Sequence, residues 1–345
     1  MSITRRKLLG SVAAASAASF AGFPAVVLGQ APIRWRVQVL WGSGEDTYKF
    51  FQEFCDNVKT NTQGRLEIQP FASGAVVGAF ETLDAVSNNV LQGHSTYPGY
   101  WAGKEPALAV IGDYAFGYRS PDQQQRWLDD KGGMALLRQA YGRFNAYTVG
   151  CTWWGVESLT SRRAIRRPED FKGVKHRGAQ GIAAETIAKM GASIVVIPGG
   201  EAYSALEKGV VDSVDWSTIS VNAKMGFFEI AKFATFPGFH SMPIQDLTIN
   251  AGAWKALPDD LKAIVEKTFR EFSATQVSRI AENDKRVSAE VKAKGVELVA
   301  WSEEDLRRAR LLAMGVADEW GAKGALAKQA HESQRAFLRE LKLIA

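Results

Sequence analysis

From Asp259 to Gly295 the chain reads DDLKAIVEKTFREFSATQVSRIAENDKRVSAEVKAKG, with no proline and no glycine before the last residue. Asp259 and Asp260 suit the positive end of a helix, and Gly295 suits its closing turn. At 1.5 Å per residue such a helix runs for about 50 Å, well beyond the width of a small domain. The stretch therefore predicts one helix lying across two lobes, and the preceding chain has to supply them.

Two runs of α/β grammar do so. The first opens with the alternating strand IRWRVQVLW. The helical GEDTYKFFQEFCDNVKTNT follows, then the strand QGRLEIQPFA, the helix AFETLDAVSNNVLQG closed by Gly93, and HSTYPGYWAG as strand and loop. This order predicts parallel pairing. The second run begins near RFNAYTVGCTWWGVESLTS, a strand rich in β-branched and aromatic residues. It continues through VKHRG, the helix IAAETIAKMGA closed by Gly191, SIVVIP, GEAYSALEKGV and VDSVDWS. The expected fold is α/β, a two-lobe binding-protein architecture. A first lobe spans 32–150 and regains part of 240–255; a second spans 151–240. The spanning helix covers 256–295, and two or three C-terminal helices cover 296–345. Ser302 and Asp305 form a variant capping box ahead of those helices.

Residues 1–31 read as an export segment. Arg5, Arg6 and Lys7 precede a modest run rich in Ala and Ser and broken by Gly22 and Pro24. The adjacent arginines followed by Leu8 and Leu9 resemble a bacterial twin-arginine signal, which places the mature chain in the periplasm. Losing the segment lowers the net charge from +5 to +2, because three bases leave and no acid does. The remaining charge is mixed, without the basic block that nucleic acid requires. The two cysteines, Cys55 on an expected helix and Cys151 on an expected strand, read as separate buried thiols. Two thiols and four histidines give no four-cysteine zinc site.

Catalytic motifs are absent: no G-x-S-x-G elbow, H-E-x-x-H helix, G-x-G-x-x-G turn or Walker loop occurs. His94, His176, His240 and His331 are scattered. Two lobes that close on a ligand fit better, with the site at strand ends and helix starts. Arg177 ends the strand VKHRG just before a helix, where its planar fork suits a carboxylate and the helix start adds positive potential. A surface arginine or a structural ion pair explains the same pattern equally well. Trp41, Tyr97, Tyr100, Trp153 and Trp154 lie near strand ends and suit either pocket walls or core. Trp153 and Trp154 point to opposite faces of a strand, so at most one of them meets the cleft.

The segments RPEDFKGVKHRG, AETIAKMGASIVVIP, GEAYSALEKGVVDSVDW and LPDDLKAIVEKTF, in this order, resemble the DctP-like solute receptors of tripartite ATP-independent periplasmic (TRAP) transporters. Asp170, Lys172, Gly173, Lys175 and Arg177 match that family's D-L-K-G-L-K-x-R strand. Glu201, Tyr203, Ala205, Leu206, Gly209, Val210 and Asp212 match its E-x-Y-x-A-L-x-x-G-V-x-D helix. The twin arginines and Trp216 look most like the branch that takes 2-oxo acids and related monocarboxylates.

The resemblance implies a receptor that performs no chemistry and hands a small organic acid to the transporter's membrane subunits. It needs no cofactor for catalysis. Arg177 then matches the carboxylate-binding arginine, with Trp216 and Tyr100 as walls. Asp215, Trp216 and a polar residue upstream surround a cation in the 2-oxo-acid branch, and Glu157 falls at that upstream position. Where the branch has a further glutamate, this chain has His240, a poorer ligand for sodium or calcium. A bound sodium or calcium, a Glu157–Arg177 pair, and a hydrogen bond from Glu157 to the ligand all stay open. Two functional alternatives also stay open: an exported enzyme using Glu157, Asp215 and His240 as acid–base groups, and a receptor for an ATP-driven importer. The long helix suits either a cover over both lobes or a homodimer contact, which some relatives make.

Overall fold

The structure, a computed structural model, describes residues 31–344. The expected export segment lies outside them apart from Ala31. In chain order the strands are β1 (Ile33–Val39), β2 (Leu66–Phe71), β3 (Gly93–Ser95), β4 (Ala146–Trp153), β5 (Thr160–Ser161), β6 (Lys175–Arg177), β7 (Ser193–Val195), β8 (Ser213–Val214), β9 (Phe233–Thr235), β10 (Ile244–Asn250) and β11 (Glu297–Val299). They form two mixed sheets, ordered β2-β1-β3-β10-β4 and β11-β9-β5-β8-β6-β7. This is the expected α/β architecture.

Parallel pairing holds where the grammar predicts it, between β1, β2 and β3 and between β6, β7 and β8. In β1, Trp35, Val37 and Val39 point into the core, and buried Gln38 is satisfied by the backbone of Val76 and Val77. Two readings need correction. β4, grouped by the sequence with the second run, pairs antiparallel with β10 and so completes the first sheet. β-branched, aromatic strands look alike in either lobe, and only the pairing assigns them. Gly93 does not close a helix. The helix there ends at Ser87, and Gly93 starts β3, where a side chain would come within 2.5 Å of Ile249 Cδ1.

The long helix forms over Asp259–Ala293 and packs on both lobes. Over the first, Phe269 and Phe272 interlock with Phe51 and Phe54 of the helix Asp46–Asn61, with ring centroids 5.3–6.0 Å apart. Burying one such ring is worth about 1.5–3 kcal/mol. Over the second, Val287 and Val291 pack with Ile219 and Phe228, while Asp284 accepts a hydrogen bond from the Ser220 amide at 2.9 Å. The C-terminal segment forms two helices, Glu303–Gly321 and Ala325–Glu340, the first capped by the Ser302 hydroxyl accepting from the Asp305 amide at 3.1 Å. Cys55 and Cys151 are free thiols. Among the described residues no helix is long and apolar enough to cross a membrane.

Candidate ligand site

The strands of both sheets end on a shared cleft. Tyr97 and Tyr100 follow β3, and Trp154 and Glu157 follow β4. Arg177 ends β6, Asp215 and Trp216 follow β8, and Ser241 and Pro243 precede β10. Together with Leu40, Asp113, Ala179, Gln180 and Ala183, these residues line a cavity of about 30 Å³. Arg177, Asp215, Glu157 and Trp216 are all buried. His240 is buried against Asp215 without lining the cavity itself.

Arg177 is held by main-chain carbonyls. Nε and Nη2 both donate to Ile197 O, at 3.1 and 3.0 Å, and Nη1 donates to Asp215 O. The guanidinium lies over the Trp216 ring, 5.3 Å from its centroid. The close seat of that ring depends on Gly199, where a Cβ would fall 1.7 Å from Trp216 Cζ3. Among the described residues Arg177 makes no ion pair within 4 Å, so the direct Glu157–Arg177 pair does not form. A buried arginine has five N–H groups to satisfy and a charge that is costly to leave unpaired. Three N–H groups are spent on carbonyls, and the rest are left to Tyr100 and the cavity.

The acids behave differently from one another. Glu157 accepts from Trp154 Nε1 at 2.9 Å. Burial pushes its carboxyl well above the usual range, and the neighbouring Asp215 adds to the shift. Burial alone would raise Asp215 as well. His240, whose Nε2 lies 3.3 Å from Asp215 Oδ1, and the hydrogen bond from Glu157 outweigh it and hold Asp215 below the ordinary aspartate value. The His240–Asp215 contact is within Coulombic reach but not aligned as a hydrogen bond, so Asp215 Oδ1 and both His240 nitrogens remain without partners. One ligand atom each from Glu157, Asp215 and His240 lies within 4.8 Å of the others. The set offers an ion two carboxylates and one imidazole, the imidazole being the weaker donor for sodium or calcium.

Sequence reasoning missed Asp113 and Glu45. Asp113, after the helix Pro106–Gly112, accepts from Ser241 Oγ at 2.7 Å and from the Met242 amide at 3.1 Å; burial pushes it up to about 6. Glu45, just before the helix Asp46–Asn61, is pushed by burial up to about 7. Both carry an acid type that is common on surfaces, and their burial depends on the second lobe and the β10 connection. Tyr100 lies beside Arg177, whose charge partly offsets the effect of burial on the phenol. Trp154 lines the cavity, whereas Trp153 turns the other way and donates to Gln124 Oε1 at 2.9 Å.

A two-lobed cleft around a buried arginine is the arrangement of a solute receptor. The model of the bacterial extracellular solute-binding proteins, family 7 (DctP), matches residues 38–322, and the chain belongs to that family. It is 28% identical to a monocarboxylate 2-oxoacid-binding periplasmic protein of Nostoc sp., over 98% of this chain and 94% of that one. The fold matches a TRAP solute-binding protein of Bordetella bronchiseptica at a TM-score of 0.85 and 26% identity, covering 90% of this chain and 93% of that one. That structure is a mixed-occupancy dimer with calcium and picolinate in one site and none in the other. A TRAP solute-binding protein of Rhodobacter sphaeroides, in an apo open structure, matches at 0.73 and 29% identity, covering 90% and 99%.

Proposed function

We propose that this chain is a periplasmic receptor that captures a small monocarboxylate, a 2-oxo acid, and delivers it unchanged to the membrane subunits of a TRAP transporter. The observation that carries the reading is Arg177, a buried charge without a carboxylate partner that lines the cavity and is not saturated by the carbonyls that hold it. An incoming carboxylate takes up the N–H capacity that remains. Asp215, held ionised beside His240, lines the same cavity. A second carboxylate on the ligand would meet it at close range, which favours a monoacid. A cavity of about 30 Å³ holds two or three water-sized groups, a scale closer to a short acid than to a sugar acid.

The contact between Glu45 of the first lobe and Trp216 of the second supports a closed arrangement of the lobes. The lower overlap with an open structure, despite slightly higher identity, is what a rotation between lobes produces. Glu157, Asp215 and His240 are the residues that would hold a sodium or calcium ion. Bound there, the ion would supply a second positive charge toward the ligand's oxygens.

A thermal-shift screen of 2-oxo, 2-hydroxy, aromatic and dicarboxylic acids tests the reading. Short 2-oxo monoacids should raise the melting temperature most, and preference for a dicarboxylate would overturn the monoacid assignment. The bound acid should be recovered unchanged after long incubation; turnover would favour an enzyme. Light scattering decides between a monomer and a dimer of the kind seen in the Bordetella crystal.

A further inference from the structure

The carboxylate of Glu45 occupies the N-cap position of the helix Asp46–Asn61 yet makes no capping hydrogen bond. It turns away from the helix. Oε1 accepts from the Gly42 amide at 2.5 Å, and Oε2 accepts from Trp216 Nε1 at 3.4 Å. Glu45 follows β1 in the first lobe, and Trp216 follows β8 in the second, so the contact crosses the cleft. Trp216 in turn carries Arg177 on its face and meets Trp41 of the first lobe edge-on, with centroids 5.4 Å apart. Glu45 lines the groove behind the ligand cavity and not the cavity itself.

We infer that Glu45 is a positioning residue for ligand capture: its carboxylate receives the Trp216 indole only when the lobes close, and so fixes the wall against which Arg177 holds the ligand. Glu45 touches no ligand and acts through Trp216. An interaction made only in the closed state slows release without speeding encounter. The inference rests on the carboxylate reading of Arg177 for its choice of probe but not for its geometry.

The experiment measures pyruvate binding and release by the full mature chain and its variants, with an interlobe distance from paired spin labels as a second readout. Glu45→Ala should weaken pyruvate binding roughly 5- to 30-fold through faster release, with the melting temperature of the ligand-free protein unchanged. Glu45→Gln offers one carbonyl acceptor where two donors wait, so it should fall between Ala and the native residue. In a Trp216→Phe background, Glu45→Ala should change affinity less than twofold, because the donor it serves is gone. Full retention of affinity and release rate by Glu45→Ala, or an equal loss in the Trp216→Phe background, overturns the assignment and leaves the function of the site intact. If the native chain binds no 2-oxo acid, the functional reading fails, and the label distances decide this one. A smaller closed population in Glu45→Ala supports it, and an unchanged population overturns it.

Discussion

Among the described residues, an acid and a histidine are buried together both in the first lobe and in the cleft, and the pair in the cleft is the one beside the ligand cavity. In the first lobe, Asp246 on β10 accepts from the Thr96 amide at 3.1 Å and from the Tyr141 hydroxyl, while His94 lies 3.7 Å away, stacked on Trp101 at 4.8 Å. Both carboxylate oxygens have partners, and no side chain of this cluster lines the ligand cavity. In the cleft, Asp215 has His240 at 3.3 Å and Glu157 beside it, yet Asp215 Oδ1 and the imidazole nitrogens lack aligned partners. The residue types are nearly the same. Burial drives Asp246 up to about 7, whereas the charges around Asp215 drive it down. In the sealed cluster both carboxylate oxygens are satisfied from within, although the His94 nitrogens, like those of His240, lack partners. The open one keeps an unspent carboxylate oxygen on a residue that lines the cavity, which is what a ligand or an ion uses.

The strongest break in this comparison is Arg177→Ala. It removes the cation that the open cluster surrounds, and affinity for the cognate acid should fall by about a thousandfold or more, in line with losses on truncating one partner of a buried charged pair. Unfolding of the ligand-free protein should change little, since its main partners are carbonyls that water can reach once the cleft opens. Micromolar binding retained by this variant in isothermal titration would remove Arg177 from the site.

Next in size, Asp246→Ala should do the reverse. It strands the Tyr141 hydroxyl and the Thr96 amide in a dry core, at about 1–3 kcal/mol for each unsatisfied group. Chemical denaturation should show that loss, while ligand affinity at a temperature where the variant is folded should stay within about twofold. A variant that loses affinity without losing stability would erase the distinction between the clusters.

Much of this arrangement was legible in the sequence, and the failures have physical causes. The long helix was legible because an uninterrupted stretch has few alternatives, and its buried positions Leu261, Val265, Phe269, Phe272, Gln276 and Ile280 follow helical spacing. The place of Arg177 at a strand end was legible because a strand end before a helix is a local pattern, while its expected role came from the family's pattern. The membership of β4 was not, because strand pairing across about a hundred residues leaves no trace in a strand's own composition. Asp113 and Glu45 were not legible for a related reason. Their significance comes from burial by other elements, Ser241 and Met242 for one and Trp216 for the other. His240 was found only through the family's pattern, since a lone histidine before a strand carries no signal of its own.

A smaller effect sharpens the role of the open cluster. If Glu157, Asp215 and His240 hold an ion, stripping protein with chelator should weaken acid binding by about 10- to 100-fold, the range seen when a metal's supporting residues are lost. Added calcium or sodium should restore it, and plasma emission spectrometry should find about one ion per chain. Affinity indifferent to chelator, with no ion recovered, would leave Arg177 as the sole cationic anchor.

The smallest effect is a pH dependence, and the sealed cluster contributes to it through Asp246. Asp246 has an ordinary value of 3.8 that burial, opposed by its hydrogen bonds from Tyr141 and Thr96, pushes up to about 7. Between those values the folded protein keeps a proton that the unfolded chain has released, so the folded state binds more protons and stability falls as pH rises. The protonated carboxyl contributes fully below about 4, and its contribution is lost as pH climbs through about 7. Asp113, raised to about 6 by burial, adds a slope of the same sign over a narrower window, and Glu45, raised to about 7, and Glu157, raised by burial, add to it. Denaturation midpoints between pH 4 and 8 should therefore decline with pH in the native chain and decline less in Asp246→Asn, whose amide cannot ionise. Equal slopes in the two proteins would mean that Asp246 is ionised in the folded core. The carboxylate would then be held by its neighbours as strongly as Asp215 is held by His240, and the two clusters would differ in access to the cavity alone.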